Sequence, residues 1–228
     1  MVPPTLFSMA VLLAALAVGC ARTGSTPRPE PKPITYVALG ASDSVGVGTR
    51  RPDVEGWVPR LSARLGTGTR TVNLGVSGST LDQALLEQLG PAREARPDVV
   101  TVWLAVNDFN ARRPLEQYGA ELNQLLAALN GTGALVLVGN IPDIAALPVY
   151  ASLGQPTVAA EVERWNRVIQ QAAASNGATL VDLYAQWQEL RNHPEYVSAD
   201  GFHPSAEGYQ RLADVFAESL PPDLRNRG

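Results

Sequence analysis

A chain of 228 residues is long enough for one well-buried domain and marginal for two. Its 45% apolar and 18% charged residues are ordinary for a globular protein. A net charge of −4, with no run of Lys or Arg, excludes nucleic acid as a partner, because phosphate binding needs clustered cations. A lone cysteine excludes an intrachain disulfide.

Met9 to Val18 is apolar throughout and is followed by Gly19 and Cys20. A membrane-spanning helix needs about 20 such residues, so this run fits the apolar centre of a signal peptide instead. Ala17-Val18-Gly19-Cys20 resembles the lipobox of bacterial lipoproteins, which implies that Cys20 becomes the lipid-bearing first residue of the mature chain. The first eight residues carry no Lys or Arg, and Ala17 stands where Leu is commoner. A plain secretory signal, giving a secreted or periplasmic protein, therefore stays open. From Ala21 to Pro33 the prolines 27, 29, 31 and 33 alternate with other residues, a pattern that favours extended polyproline II. The expected division is a signal peptide over 1–19, a lipidated Cys20 and stiff tether over 20–33, and one domain over 34–228.

Within that domain, short apolar runs predict strands at Ile34–Leu39, Thr71–Leu74, Val99–Leu104, Ala134–Val138 and Ala178–Val181. Helical stripes lie between them: Leu81, Ala84 and Leu85; then Leu115, Tyr118, Leu122, Leu125, Leu126 and Leu129. Val158, Val162, Trp165, Ile169 and Ala172 make the next, and Tyr209, Leu212, Ala213, Phe216 and Leu220 the last. Alternating strands and helices predict an α/β fold, a parallel sheet with helices on both faces. There is no internal repeat and no sign of a second domain.

Polar loops follow the predicted strands. Ser42 follows the first, Asn73 to Thr80 the second, Asn107-Asp108 the third and Gly139 to Asp143 the fourth. Asp200-Gly201-Phe202-His203-Pro204 comes after the fifth. A parallel sheet gathers such loops on one edge.

A serine hydroxyl is a nucleophile only with a base in reach, and that base needs an orienting partner. Of two histidines, His203 has Asp200 three residues before it, a spacing that places both on one side of a turn. Asp200 would then hold Nδ1 and leave Nε2 for Ser42. A last helix starting at Pro204 would put its positive end beside that imidazole. His193, in Asn192-His193-Pro194-Glu195, reads as a surface-loop residue. Gly78 N–H, the Asn107 amide and Ser42 N–H are candidate donors to an oxyanion. Taken singly, Gly78 reads equally well as a turn glycine and Asn107 as a loop-capping amide.

In order along the chain, these residues resemble the SGNH branch of the GDSL-type esterase and lipase family over about residues 34–220. Gly40-Ala41-Ser42-Asp43-Ser44-Val45-Gly46 matches its first block, Ser77-Gly78 after Asn73 its second, Asn107-Asp108 its third, and Asp200 to Pro204 its last. The resemblance implies a five-stranded flavodoxin-like αβα sandwich. It also implies Ser42, His203 and Asp200 as catalytic triad, and Ser42, Gly78 and Asn107 as oxyanion hole. Ala41 stands where the family has aspartate, and an aspartate, Asp43, follows the serine instead.

The loop 141–156 reads as a wall or lid of an acyl pocket, or as a surface loop packed by its own side chains. Asp43 and Asp108, without a second histidine, are poor zinc ligands, so neither metal nor cofactor is expected. The expected function is hydrolysis of carboxylic esters at the cell envelope, on a small-molecule, lipid or glycan ester, with lipid-anchored attachment to a membrane. Carbohydrate O-acetyl ester hydrolysis, lysophospholipid hydrolysis and a non-catalytic envelope binding protein are the alternatives.

Overall fold

The computed structural model describes Met1 and residues 32–186 and 188–225. The chain separates into two compact units, Met1–Pro31 and Lys32–Gly228. The signal peptide, Cys20 and most of the tether lie outside the described residues; every element below belongs to the second unit.

Five parallel strands form one sheet: β1 (Thr35–Gly40), β2 (Arg70–Asn73), β3 (Val99–Trp103), β4 (Leu135–Gly139) and β5 (Thr179–Val181), in the order β2-β1-β3-β4-β5. All lie within a residue or so of the expected runs. The central β3, Val-Val-Thr-Val-Trp, is buried along its whole length, as a strand covered on both faces must be. At the edge, β2 reads Arg-Thr-Val-Asn and is mostly exposed.

The helices Trp57–Arg64 and Ala206–Glu218 pack on each other. Trp57 seals that contact, stacking on Phe216 at 4.5 Å between ring centroids and meeting Trp103 edge-on at 6.1 Å. A second group comprises Leu81–Glu87, Leu115–Asn130 and Gln155–Ser175. Tyr118 and Trp165 meet within it at 4.7 Å. The apolar stripes seen in the sequence are the faces these helices bury.

Chain order explains where the site forms. After β1 the chain runs outward to β2, then returns to lay β3 on the other side of β1. The carboxyl ends of β1 and β3 therefore flank a crevice at the switch in winding direction, the place where open α/β sheets bind ligands. One expected boundary moves. The last helix begins at Ala206 with Ser205 as cap, not at Pro204. Pro204 instead bridges antiparallel to Val197, so His203 sits in a small hairpin before the helix and not in its first turn.

Candidate active site

Ser42 opens the four-residue helix Ser42–Val45 directly beyond β1 and is 8% exposed. Gly40 makes this abrupt turn feasible: a Cβ there would lie 1.9 Å from Ser44 Oγ. Asn73 holds the other end of the short helix. Its Nδ2 donates to the Ser44 carbonyl at 2.6 Å, and its Oδ1 accepts from Gly75 N–H at 3.1 Å.

Behind the turn lies Gln88, a buried residue that the sequence reading did not single out. Its Oε1 accepts from Gly40 N–H and its Nε2 donates to the Gly40 carbonyl, both at 3.0 Å. The same Nε2 reaches Ser79 Oγ at 3.3 Å. One amide thus ties the Ser42 turn to the loop that carries Gly78. A lone glutamine between two helices gives no sequence signal for such a role.

His203 is delivered by the hairpin 197–204. Ser198 N–H donates to the His203 carbonyl at 2.8 Å, and Gly201, at φ +72°, closes the turn. Two contacts join this segment to the Ser42 turn. Tyr209 OH donates to the Val47 carbonyl at 2.7 Å. Gly48, at φ +100°, lies where a Cβ would come within 2.5 Å of the Pro204 carbonyl and 3.1 Å of His203 Cβ.

The side chains then form a single chain of hydrogen bonds. Asp200 Oδ2 meets His203 Nδ1 at 2.7 Å, and His203 Nε2 meets Ser42 Oγ at 2.9 Å. Because the carboxylate only accepts, Nδ1 carries the proton and Nε2 is left to accept from the serine hydroxyl. Asp200 Oδ1 accepts from the N–H groups of Phe202 and His203 and from Ser198 Oγ, at 2.8–2.9 Å. Partial burial alone would raise the Asp200 pKa, but these donors and the imidazole outweigh it and hold the carboxyl well below the usual carboxylate range.

The donor side is equally connected. Asn107 stands at the start of the helix Val106–Asn110, beyond β3, and donates one amide hydrogen to the Ser79 carbonyl at 2.9 Å. That bond orients the second hydrogen. Gly78, at φ +82°, has open space where a side chain would be, and its N–H meets no acceptor among the described residues.

The neighbouring Asp108 is fully buried and serves the scaffold. It accepts from Leu81 N–H at 3.1 and 3.2 Å and from Arg113 at 2.6 Å. Burial pushes its carboxyl up, against the opposing pull of Arg113 and of Leu81 N–H. Asp82, Asp108 and Glu121 bring carboxylate oxygens within 4.8 Å of one another, with the Arg113 guanidinium bonded to all three. That one cation ties the three carboxylates together, and Asp43 is not among them.

Asp43 lines a cavity of about 30 Å³ with Trp103, Val106, Ile144, Phe202 and Pro204. The apolar surroundings push its carboxyl up to about 6, opposed by the imidazole and its own backbone and reinforced by Asp200. His193 stands apart from the Ser42–His203–Asp200 chain of bonds. Its Nδ1 meets Glu195 at 2.6 Å and its ring stacks on Tyr196 at 4.7 Å. The loop 141–156 folds into two short 3₁₀ turns, Ile144–Ala146 and Pro148–Leu153, with Ile144, Leu147 and Tyr150 buried.

A family described as GDSL-like lipase/acylhydrolase matches residues 38–211, a span that holds every site residue above. The chain belongs to that family. It is 26% identical to an acetylxylan esterase of Xylanibacter ruminicola, over 86% of this chain and 45% of the relative. It therefore spans less than half the length of that relative. It is also 26% identical to the thioesterase 1/protease 1/lysophospholipase L1 of Escherichia coli K12, over 82% of this chain and 84% of that one. A crystal structure of TesA superposes with a TM-score of 0.68 at 26% identity, covering 82% of this chain and 98% of its own. That agreement extends to the αβα sandwich expected from the sequence.

Proposed function

We propose that this chain is a serine-dependent carboxylic ester hydrolase of the cell envelope. The observation that carries this reading is the unbroken run of hydrogen bonds from Asp200 through His203 to Ser42, with Nε2 aimed at the serine oxygen. His203 takes the Ser42 proton as the oxygen attacks the ester carbonyl, and Asp200 stabilises the imidazolium that results. The negative oxygen of the tetrahedral intermediate is met by Ser42 N–H, Gly78 N–H and the free amide hydrogen of Asn107. His203 then protonates the departing alcohol. In the second half it deprotonates a water, which releases the acid and restores Ser42.

The relatives give two substrate directions, an acetyl group on a glycan and a lysophospholipid. A chain-length series of nitrophenyl esters separates them: activity confined to acetate supports the first, and activity that persists to long chains the second. The same panel tests the assignment, because turnover by Ser42→Ala equal to that of the unaltered protein would overturn it. The non-catalytic alternative requires that a fluorophosphonate fail to label the folded protein.

Envelope attachment rests on the lipobox-like Ala17–Cys20 and the proline-rich spacer. Cells fed a labelled fatty acid are expected to transfer it to the wild-type chain and not to Cys20→Ser. Absence of label from both would leave secretion or periplasmic release as the reading.

A further inference from the structure

A groove of about 450 Å³ runs beside the helix Val106–Asn110, the helix that also carries Asn107. That volume is typical of small-molecule sites, which span about 300–1,000 Å³. Phe109, Tyr150 and Trp165 give it aromatic walls. Two routes lead from it toward the Ser42 site. Asn110 is one helical turn beyond Asn107, and the Tyr150 ring lies edge-on to Phe202 at 6.4 Å, which in turn lies 4.8 Å from the His203 ring.

Two polar groups of the groove are donors with unused capacity. Tyr150 OH donates to Asn110 Oδ1 at 2.7 Å, which leaves the Asn110 NH₂ for a ligand. Arg112 lines the groove, is exposed, and meets no carboxylate among the described residues. Its neighbour Arg113 is instead held by Asp82, Asp108 and Glu121. Glu161 also lines the groove, but it accepts from Trp165 Nε1 at 3.2 Å and pairs with Arg164 at 2.8 Å. A guanidinium with no carboxylate partner among the described residues, and an amide beside it in an aromatic-walled groove, suit a ligand with an oxyanion joined to an apolar body.

We propose that this groove is a subsite for an anionic group, carboxylate or phosphate, on the ester substrate, bound by the Arg112 guanidinium and the Asn110 amide. This rests on the serine-esterase reading of Ser42.

The test compares kcat/KM within matched ester pairs that differ in one charge. Nitrophenyl hemisuccinate against nitrophenyl butyrate puts the charge on the acyl side. The acetate ester of hydroxybenzoate against that of hydroxybenzamide puts it on the alcohol side. The full chain is expected to favour the anionic member of one pair about tenfold, and the pair that responds identifies the side of the ester the groove receives. Arg112 stands at φ +53°, so Arg112→Gly suits the backbone and removes the guanidinium without strain. That variant is expected to bring the ratio toward one, as is about 1 M salt, where the screening length falls to about 3 Å. A ratio near one for both pairs in the unaltered protein, or a ratio unmoved by Arg112→Gly, would overturn the subsite alone. No turnover of any ester, with no fluorophosphonate labelling of Ser42, would overturn the esterase reading and the subsite with it.

Discussion

Ser42 and His203 are separated by 161 residues in the chain and by 2.9 Å between Oγ and Nε2. The hairpin 197–204, the Tyr209–Val47 bond and the close seat on Gly48 bring them together, so their alignment depends on tertiary packing rather than on any local motif. If the pair acts as one unit, Ser42→Ala and His203→Ala each lower kcat by about 10³-fold or more. The double variant is expected to be no slower than either, and multiplied losses would argue that the two act independently.

Asn107→Ala removes one of the proposed oxyanion donors and also frees the Ser79 carbonyl. A loss of about 10²- to 10³-fold in kcat is expected, with little change in KM, because the donor engages the transition state rather than the bound ester. A change confined to KM would place Asn107 in substrate binding instead.

Gly48→Ala tests the seat of His203. Its Cβ would enter the Pro204 carbonyl, and its φ of +100° disfavours any side chain. A stability loss of about 1–3 kcal/mol by denaturant titration is expected. A larger fractional fall in kcat than in Gly46→Ala, which does not approach His203, would show that His203 itself moved.

Asp43 is expected to act against stability at neutral pH. Its folded pKa of about 6 lies above the ordinary 3.8, so the folded state holds the proton more tightly than the unfolded one. Stability is therefore lost as pH rises from about 4 through 6. Asp43→Asn should stabilise the protein at pH 7 by on the order of 1 kcal/mol, with the difference vanishing below about pH 4. Asp200 has the opposite sign. Its pKa is depressed, so the stability it contributes is present above about pH 4 and declines as the solution is acidified below that. Paired melts of Asp43→Asn and Asp200→Asn across this range check both signs.

Most of the sheet was legible in the sequence because buried parallel strands are short apolar runs, as in Val-Val-Thr-Val-Trp, and polar loops mark where they end. The meeting of Asp200, His203 and Ser42 was legible because Asp200 and His203 are three residues apart and all three sit in polar loops at those ends. Gln88 was not, since its importance comes from meeting Gly40, 48 residues away, with both ends of one amide. Arg113 was missed for the same reason: three carboxylates from different turns converge on it only in the folded chain. The start of the last helix stayed open in the sequence because Pro204 suits a first helical position too, and its bridge to Val197 decides the matter.

Ser42 is the proposed nucleophile. Ser44, two residues on, offers a second hydroxyl whose Oγ is buried without a partner among the described residues. Labelling the folded protein with a fluorophosphonate, followed by mass mapping of the peptide that spans Gly40 to Arg50, distinguishes the two. An adduct on Ser42 is expected, lost in Ser42→Ala and strongly slowed in His203→Ala. An adduct on Ser44, or labelling that survives Ser42→Ala, would contradict the account.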